Sequence, residues 1–214
     1  ARRVDIAVDD RPIPEEAKSL LHADKVCDLD IFLETDEERL AKARVWEAVQ
    51  DAEDSPLVAS ALLEEILDQA PVNLEDGRTP LYCQDLAGRE IVGLMTPNDG
   101  ERFVNVPDSV YDATLHLSRI YRSMGDAEGS IGRAEALVSM SPSTVRSYLE
   151  LVNAVVEAGD FQRSEEILRK AIAVCVSAEE RQVVKYRLAF ALWQNGKLDH
   201  ALALYQTVGS QGPV

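Results

Sequence analysis

The three histidines are the first residues to consider for catalysis, because histidine is the usual general base in enzymes. His22, His116 and His200 are far apart in the sequence, and none stands in an arrangement with cysteine or serine that suggests a nucleophile and its base. No catalytic pair of carboxylates can be singled out among 38 acidic residues. We therefore predict that the chain is not an enzyme and needs no cofactor.

Two local clusters have the residue types of an ion-binding loop but not the spacing. Gly125, Gly129 and Gly132 follow no predicted strand and precede no Gly-Lys-Ser/Thr sequence, so they do not form a phosphate-binding loop. The acidic run from Asp28 to Glu38 lacks the central glycine and the ligand spacing of a calcium loop. We interpret that run as a solvated face whose charges favour a helix N-terminus.

Cysteine usage indicates a reducing compartment. Cys27, Cys83 and Cys175 are odd in number and far apart, which favours neither a disulfide framework nor a zinc site. No apolar run approaches the roughly 20 residues of a membrane span, and no signal peptide is visible. We predict a cytoplasmic location; because the chain begins at Ala1, a lost leader or anchor stays an open alternative.

The charge balance excludes two classes of partner. The chain has 38 Asp and Glu against 22 Lys and Arg, a net charge of −16. Nucleic acids and anionic membranes require a basic face, so we predict no nucleic-acid partner and no direct membrane contact. Arginine outnumbers lysine by 16 to 6, which is typical of a GC-rich bacterial genome.

The second half of the chain contains three copies of one unit. Each copy is an amphipathic segment, a turn centred on Gly125, Gly159 or Gly196, and a second amphipathic segment. The glycines are 34 and 37 residues apart, a period typical of stacked helical hairpins. We predict helices over about 110–124, 127–140, 144–158, 161–175, 179–195 and 198–207.

An earlier segment has the same helix–turn–helix organisation without the turn glycine. Thr35 and Glu38 form a capping box, which predicts a helix start near Asp36. Ser55 and Pro56 predict the cap and first turn of a second helix that stops before Pro71. The predicted apolar faces comprise Leu40, Ala43, Val45, Trp46 and Val49 in the first helix and Leu57, Ala61, Leu62, Ile66 and Leu67 in the second.

Residues 72–108 interrupt the helical pattern with several turn signals. Three short extended runs lie between those turns, at 81–83, 91–94 and 103–106. We predict a small β-hairpin or three-stranded insertion, and a disordered loop is the alternative. Residues 1–35 read as an irregular segment, and 209–214 as a disordered tail.

Small and large apolar residues recur at fixed places in the three copies. The middle copy has Tyr148, Leu151, Gly159-Asp160-Phe161, Ser164, Leu168, Ala171 and Ile172. The first has Leu117, Ser118, Tyr121, Gly125-Asp126, Ser130, Ala134 and Pro142. The third has Leu188, Ala189, Gly196, Leu198, Ala201, Leu202 and Tyr205. This pattern resembles the tetratricopeptide repeat (TPR) over about residues 110–208, although Lys185 takes the usual aromatic place in the third copy, which has no closing proline.

The segment 36–71 resembles a degenerate further copy of the same repeat, with Trp46, Ala59, Leu63, Leu67 and Pro71 in register. The resemblance implies an all-α fold, a TPR-like right-handed helical array (α-solenoid), with a small β-rich or irregular insertion at 72–108. The alternative is a non-repeating helical bundle. The predicted organisation is the segment 1–35, the degenerate repeat 36–71, the insertion 72–108, three repeats over 109–208 and the tail 209–214.

In TPR proteins the first helices of the hairpins line a concave groove that binds peptides. Carried onto this sequence, the groove comprises His116, Arg119, Arg122, Arg146, Leu149, Glu150, Asn153, Val156, Tyr186, Arg187, Phe190 and Trp193. Asn153 falls where many peptide-binding members place an asparagine that holds the ligand backbone. Since arginine forks suit carboxylates, the predicted peptide-binding residues are Arg119, Arg122, Arg146, Asn153, Tyr186, Arg187 and Phe190. The alternative is that these arginines pair with neighbouring Asp and Glu.

The resemblance implies a non-catalytic module that binds a protein or peptide partner in that groove, and the predicted arginines suit an acidic or carboxylate-bearing partner. The alternative is a sensor or regulatory domain of a larger multidomain protein such as a transcriptional regulator. The last predicted helix has apolar residues and is followed only by GSQGPV. Its outer side would be uncapped, so a homodimer through the C-terminal repeat, or a longer natural protein, is a further expectation.

Overall fold

The computed structural model of this chain describes residues 35–70, 79–83 and 103–208. The chain divides into two units, Ala1–Thr35 and Asp36–Val214, and every element below belongs to the second. The predictions made for the N-terminal segment, for the run 91–94 and for the tail 209–214 lie outside the described residues, except at Thr35.

Within those ranges the secondary structure is almost entirely helical. In chain order the elements are α1 (Asp36–Gln50), α2 (Pro56–Gln69), β1 (Thr79–Leu81), β2 (Phe103–Asn105), α3 (Asp108–Ser123), α4 (Ala127–Met140), α5 (Val145–Glu157), α6 (Phe161–Ala173), α7 (Ala178–Gln194) and α8 (Leu198–Thr207). The six helices predicted after residue 108 are confirmed, with ends that differ by at most two residues.

The helices form four successive hairpins, α1–α2, α3–α4, α5–α6 and α7–α8. From α3 to α7 each helix packs against the helix before it and the helix after it, α8 packs against α7, and α3 packs against both α1 and α2. Contacts between neighbours in sequence dominate, as they do in a stacked repeat. The all-α, TPR-like helical array is therefore confirmed, and the alternative of a non-repeating bundle is not.

Three tight turns close the last three hairpins. Gly125, Gly159 and Gly196 have φ angles of +77°, +79° and +74°, a left-handed conformation that side chains other than glycine rarely adopt. In the second and third hairpins the aspartate after the glycine caps the next helix: Asp126 and Asp160 each accept a hydrogen bond of 2.9 Å from the backbone N–H three residues on. The glycine spacing therefore marks real hairpin ends.

A small buried residue near the start of the second helix sets the register of all four hairpins. Ala59, Ser130, Ser164 and Ala201 are at most 3% exposed. A small side chain here lets the second helix approach its neighbours closely. Because Ala59 shares this position, α2 is in register with the three glycine-turn hairpins, as the sequence predicted.

The apolar core runs along the array rather than around one centre. Its largest cluster joins α4 to α8 and includes Leu168 and Val184, both fully buried, and Tyr148, whose hydroxyl donates to the Pro142 carbonyl at 2.9 Å. Burying one such leucine contributes roughly 1.5–3 kcal/mol relative to leaving it exposed. A second cluster joins α1 and α2 to α3.

Several residues that the sequence analysis assigned to the buried faces of α1 and α2 are exposed. Exposed residues among those predicted to be buried are Leu40 (65%), Trp46 (65%), Leu57 (72%), Leu62 (37%), Ala43 and Ala61. The residues that do form the buried side are Val45, Ala48, Ala59, Leu63 and Ile66. Both helices carry apolar residues around more than half of their circumference, and only the side that meets α3 is covered.

The predicted start of α1 at Asp36 is confirmed, and the cap predicted for α2 is formed only in part. Ser55 is the N-cap of α2 and Pro56 its first residue, but the Ser55 side chain makes no capping hydrogen bond. The Glu38 carboxylate accepts two hydrogen bonds of 2.7 Å from Ser109, one from its backbone N–H and one from its hydroxyl. Glu38 therefore caps α3, and so joins the first hairpin to the second.

The described part of the insertion is a two-stranded sheet, but not a hairpin. β1 and β2 pair in parallel, with Thr79 opposite Phe103 and Leu81 opposite Asn105. Parallel strands cannot be joined by a tight turn, so the predicted β-hairpin is wrong for these two strands. The Tyr82 ring stacks on Tyr111 of α3, with centroids 4.1 Å apart, and this attaches the sheet to the array.

Candidate functional site

The predicted binding residues belong to the first helices of the last three hairpins. We call the face of α3, α5 and α7 that carries Arg119, Arg122, Arg146, Asn153 and Arg187 the arginine face. On α5, residues 146, 150 and 153 follow one another at steps of four and three, so all three lie on one side of that helix.

Glu150 is the buried centre of the junction between α3 and α5. Its side chain is only 2% exposed, and it accepts from Arg119 Nε at 3.2 Å and from Arg122 Nη1 at 2.6 Å. Arg122 Nε also lies 3.5 Å from the exposed Glu157 carboxylate. A buried carboxylate is costly without a cation, and here two arginines supply the compensation. For Arg119 and Arg122 the structure thus has the neighbouring acidic partner that the alternative prediction expected.

At the junction between α5 and α7 the roles are reversed and the acceptor is neutral: the earlier helix supplies the acceptor and the later helix the arginine. Arg187 Nη1 donates to Oδ1 of Asn153, one helical turn after Glu150. An amide oxygen accepts the hydrogen bond but leaves the guanidinium charge uncompensated. Arg187 therefore keeps its full positive charge on the half-buried surface.

Arg146 is exposed and lies beside His116 and Asp112. Burial, and then the charges of Arg119 and Arg146, lower the pKa of His116 to about 4, against the opposing effect of Glu150. Burial raises the pKa of Asp112, and Arg146 opposes that change. Within residues 35–70, 79–83 and 103–208, no carboxylate lies within 4 Å of the guanidinium of Arg146 or Arg187.

An aromatic patch continues this face on α7. Tyr186, Phe190 and Trp193 are spaced by four and three residues, and Tyr186 and Trp193 are 45% and 52% exposed. The Phe190 ring meets Trp193 edge-on at 5.9 Å and Phe161 at 6.1 Å. Such edge-on pairs hold the rings in place, so the patch is preformed.

Leu149 and Val156 contribute less to this face than the groove prediction implies. Both are only partly exposed, and both pack against the main apolar cluster. They flank the polar positions of α5 and support the helix from below. The arginine face is therefore polar along α3 and α5, and aromatic along α7.

A second buried carboxylate escaped the sequence analysis. Glu165 of α6 is 5% exposed and accepts from Arg169 at 2.8 Å, from Asn195 at 2.8 Å and from Lys197 at 2.9 Å. Burial alone would raise the pKa of Glu165, but these hydrogen bonds outweigh it and lower the pKa to about 2. The only signal in the sequence was the four-residue spacing of Glu165 and Arg169, which is common in surface helices.

Metal chemistry and membrane insertion find no support in the described part of the chain. Its His, Cys, Asp and Glu residues form no group of three or more that could hold a metal ion. None of its helices combines the length and the apolar character needed to cross a bilayer. His200 is exposed on α8.

Comparison with solved structures finds similar folds at low sequence identity. Two crystal structures described as Podosopora anserina putative kinesin light chain nearly identical TPR-like repeats, one of them of a variant, are each 19% identical to this chain with a TM-score of 0.45. Each alignment covers 81% of this chain and 95% of the other. No protein-family model matches the sequence, and no curated protein matches it.

Proposed function

We propose that this chain is a non-catalytic protein-interaction module whose arginine face binds an acidic peptide segment. Stacked helical hairpins generally present extended surfaces for binding other proteins. The proposal is carried by one observation: Arg146 and Arg187 lack a carboxylate partner within 4 Å among the described residues, although the whole chain has a net charge of −16.

The contrast with the other arginines supports this choice. Of the ten arginines in the described ranges, seven make an ion pair with a carboxylate of the chain itself. Of the remaining three, Arg181 donates to the backbone carbonyl of Cys175, so Arg146 and Arg187 are the two on the arginine face without a carboxylate partner among the described residues. Arg146 and Arg187 are therefore available to bind a carboxylate of another molecule. An arginine guanidinium binds a carboxylate through two parallel hydrogen bonds.

The neighbouring aromatic patch adds an apolar component to the ligand. Arg187 lies between Tyr186 and Phe190 along α7, and Trp193 exposes half of its surface one turn further on. Aromatic side chains at binding surfaces contribute large contact areas at little conformational cost. The ligand we propose is an extended or helical segment with carboxylates facing α5 and an apolar side chain facing α7.

The test uses defined fluorescent peptides of about ten residues. One alternates Glu with Leu or Phe, and its partner has every Glu replaced by Gln. Fluorescence polarisation should show binding of the acidic peptide and at least about tenfold weaker binding of the Gln version. The double variant Arg146→Ala with Arg187→Ala should lose the acidic peptide.

A matched control removes the same charge elsewhere. Arg163→Ala with Arg169→Ala deletes two arginines of α6, both of which pair with carboxylates of the chain. This control should bind the acidic peptide as the wild type does, once circular dichroism has shown both variants to be folded. Equal binding of the Glu and Gln peptides, or retention of binding by the first double variant, would overturn the proposal.

A further inference from the structure

The two ends of the array carry apolar residues at positions where hairpins elsewhere in the array contact each other. The shared small residue of each second helix (Ala59, Ser130, Ser164, Ala201) makes these positions comparable. Each end can then be compared with the internal junctions, residue by residue.

At the C-terminal end the relevant positions lie three residues before and one residue after the small residue. In α6 these are Phe161 and Glu165, and the next hairpin covers both: Asn195 donates to the Phe161 carbonyl at 3.0 Å, and Lys197 donates to Glu165 at 2.9 Å. In α8 the same positions are Leu198 and Leu202, which are 59% and 60% exposed. We call these two leucines the C-terminal face.

At the N-terminal end the relevant positions are those that reach back to the preceding hairpin. Arg133 of α4 pairs with Glu64 of α2, and Arg163 of α6 pairs with Glu135 of α4. Arg133 lies three residues after Ser130, the small residue of α4. Arg163 lies one residue before Ser164, the small residue of α6. In α2 the same offsets from Ala59 give Leu62 and Val58, 37% and 58% exposed.

The first helix of that hairpin adds a tryptophan to the same end. Trp46 lies 13 residues before Ala59, as Leu117 lies 13 before Ser130. Leu117 is fully buried in the cluster that joins α3 to the preceding hairpin, whereas Trp46 is 65% exposed. We call Trp46, Val58 and Leu62 the N-terminal face.

The hairpins that carry the two faces differ in charge. Residues 36–69 contain ten Asp and Glu against three Lys and Arg, whereas residues 178–207 contain three against four. Two N-terminal faces would repel each other, and an N-terminal face attracts a C-terminal one. Both the register and the charge therefore favour contact between unlike ends.

We infer that this chain associates head to tail, the N-terminal face of one copy docking on the C-terminal face of another. Within one molecule each hairpin packs on the next hairpin. The proposed contact between two molecules has the same arrangement. Because the two surfaces differ, the association is heterologous, and it continues into longer assemblies or closes into a ring. This differs from the homodimer through two C-terminal repeats that the sequence suggested, and it does not depend on peptide binding.

The test is sedimentation velocity of the full chain, from about 1 to about 200 μM. The weight-average mass of the wild type should rise with concentration past that of a dimer. Val58→Glu with Leu62→Glu should weaken association at least about tenfold, and Leu198→Glu with Leu202→Glu should do the same. Gln162→Glu with Ala173→Glu, at two exposed positions of α6, adds as many acidic groups and should behave as the wild type does.

Mixing the two face variants gives the sharpest result. Each retains the face that the other has lost, so an equimolar mixture should form a species of twice the monomer mass and no larger. A wild type that stays monomeric at the highest concentration would overturn the inference. So would a mass that stops at the dimer and responds only to the Leu198 and Leu202 substitutions, because that is the pattern of a symmetric C-terminal dimer. Thermal unfolding of every variant shows that a loss of association is not a loss of fold.

Discussion

The two junctions between the last three hairpins place their buried carboxylate on opposite sides of the array. Where α3 meets α5, the carboxylate is Glu150, in the layer of first helices, and it binds Arg119 and Arg122. Where the third hairpin meets the fourth, the carboxylate is Glu165, on a second helix, and it binds Lys197 from the following turn. Between the first helices of those two hairpins, α5 and α7, the acceptor for Arg187 is the neutral amide of Asn153.

This difference decides where positive charge remains available. At the first junction Glu150 compensates Arg119 and Arg122, so an external carboxylate would have to compete with it for these two arginines, whereas Arg146 has no carboxylate within 4 Å among the described residues. At the second junction the compensation lies on the other layer, and Arg187 keeps its charge. A carboxylate ligand is therefore expected at the second junction, although the sequence assigns similar arginines to both.

The substitution Glu150→Gln gives the first junction a neutral acceptor, as Asn153 is at the second. It should have the largest effect on the free energy of unfolding. The substitution keeps the size of the side chain but leaves Arg119 and Arg122 without their counter-charge. Breaking a buried ion pair by removing one partner costs about 3 kcal/mol, near the lower end of the usual range because the arginines are partly exposed. Urea unfolding followed by circular dichroism measures the loss.

The matched control is Glu157→Gln. This carboxylate also approaches Arg122, at 3.5 Å, but it is 63% exposed. An exposed ion pair contributes at most about 0.5–1 kcal/mol, so the control should unfold close to the wild type. Equal losses for the two variants would mean that the burial of Glu150 has no energetic consequence.

Glu165→Gln tests the carboxylate of the other layer and should cost about 2 kcal/mol at neutral pH, since hydrogen bonds from charged donors contribute about 1.5–3 kcal/mol each. The folded-state pKa of Glu165 lies below its ordinary value of 4.5, at about 2. The stabilisation is therefore present above 4.5 and is lost as the pH falls through about 2. Urea titrations at neutral and acid pH should show the difference between wild type and variant shrinking across that interval. A difference that stayed constant with pH would show that the charge of Glu165 is not what stabilises the junction.

The fold was accessible from the sequence because its signals are local. The turns at Gly125, Gly159 and Gly196 need a left-handed residue, and the small residue of the second helix recurs after 34 and 37 residues in the last three hairpins. The side on which α1 and α2 are covered depends on which neighbour packs against them, and no periodicity records that. Trp46 therefore looked like a core residue although it is exposed.

The candidate site was only half accessible for the same reason. The repeat register placed Arg119, Arg146 and Arg187 on first helices, but it could not say which arginine meets a carboxylate. That outcome depends on single residues of α5: Arg119 meets the carboxylate of Glu150, whereas Arg187 meets the amide of Asn153. Charge pairing across 28 to 34 residues has no signature in one sequence.

The substitution Asn153→Asp gives the second junction a charged acceptor. It should stabilise the fold, by less than Glu150→Gln destabilises it. Arg187 would then bind a carboxylate, as Arg119 does, and a charge-assisted hydrogen bond is roughly twice as strong as a neutral one. We expect a gain of about 1 kcal/mol that declines in high salt. The same variant should lose the acidic peptide, because its ligand position is occupied from within. A destabilised variant, or one that binds the acidic peptide more tightly, would contradict this account of the second junction.

His116 offers the smallest and most local effect, because it reports the charge balance of the first junction directly. Its folded-state pKa is lowered from 6.5 to about 4, so below 6.5 the unfolded chain binds a proton that the folded chain excludes. Stability therefore falls as the pH drops from 6.5 towards 4, by about 0.7 kcal/mol between pH 7 and pH 6, and His116→Gln should remove this slope. Arg146→Ala should raise the pKa of His116 and Glu150→Gln should lower it further, since the two charges act in opposite directions. An NMR titration of the imidazole in both variants separates the two effects. An unchanged pKa in both variants would mean that burial alone, and not the balance between the arginines and Glu150, sets the charge of His116.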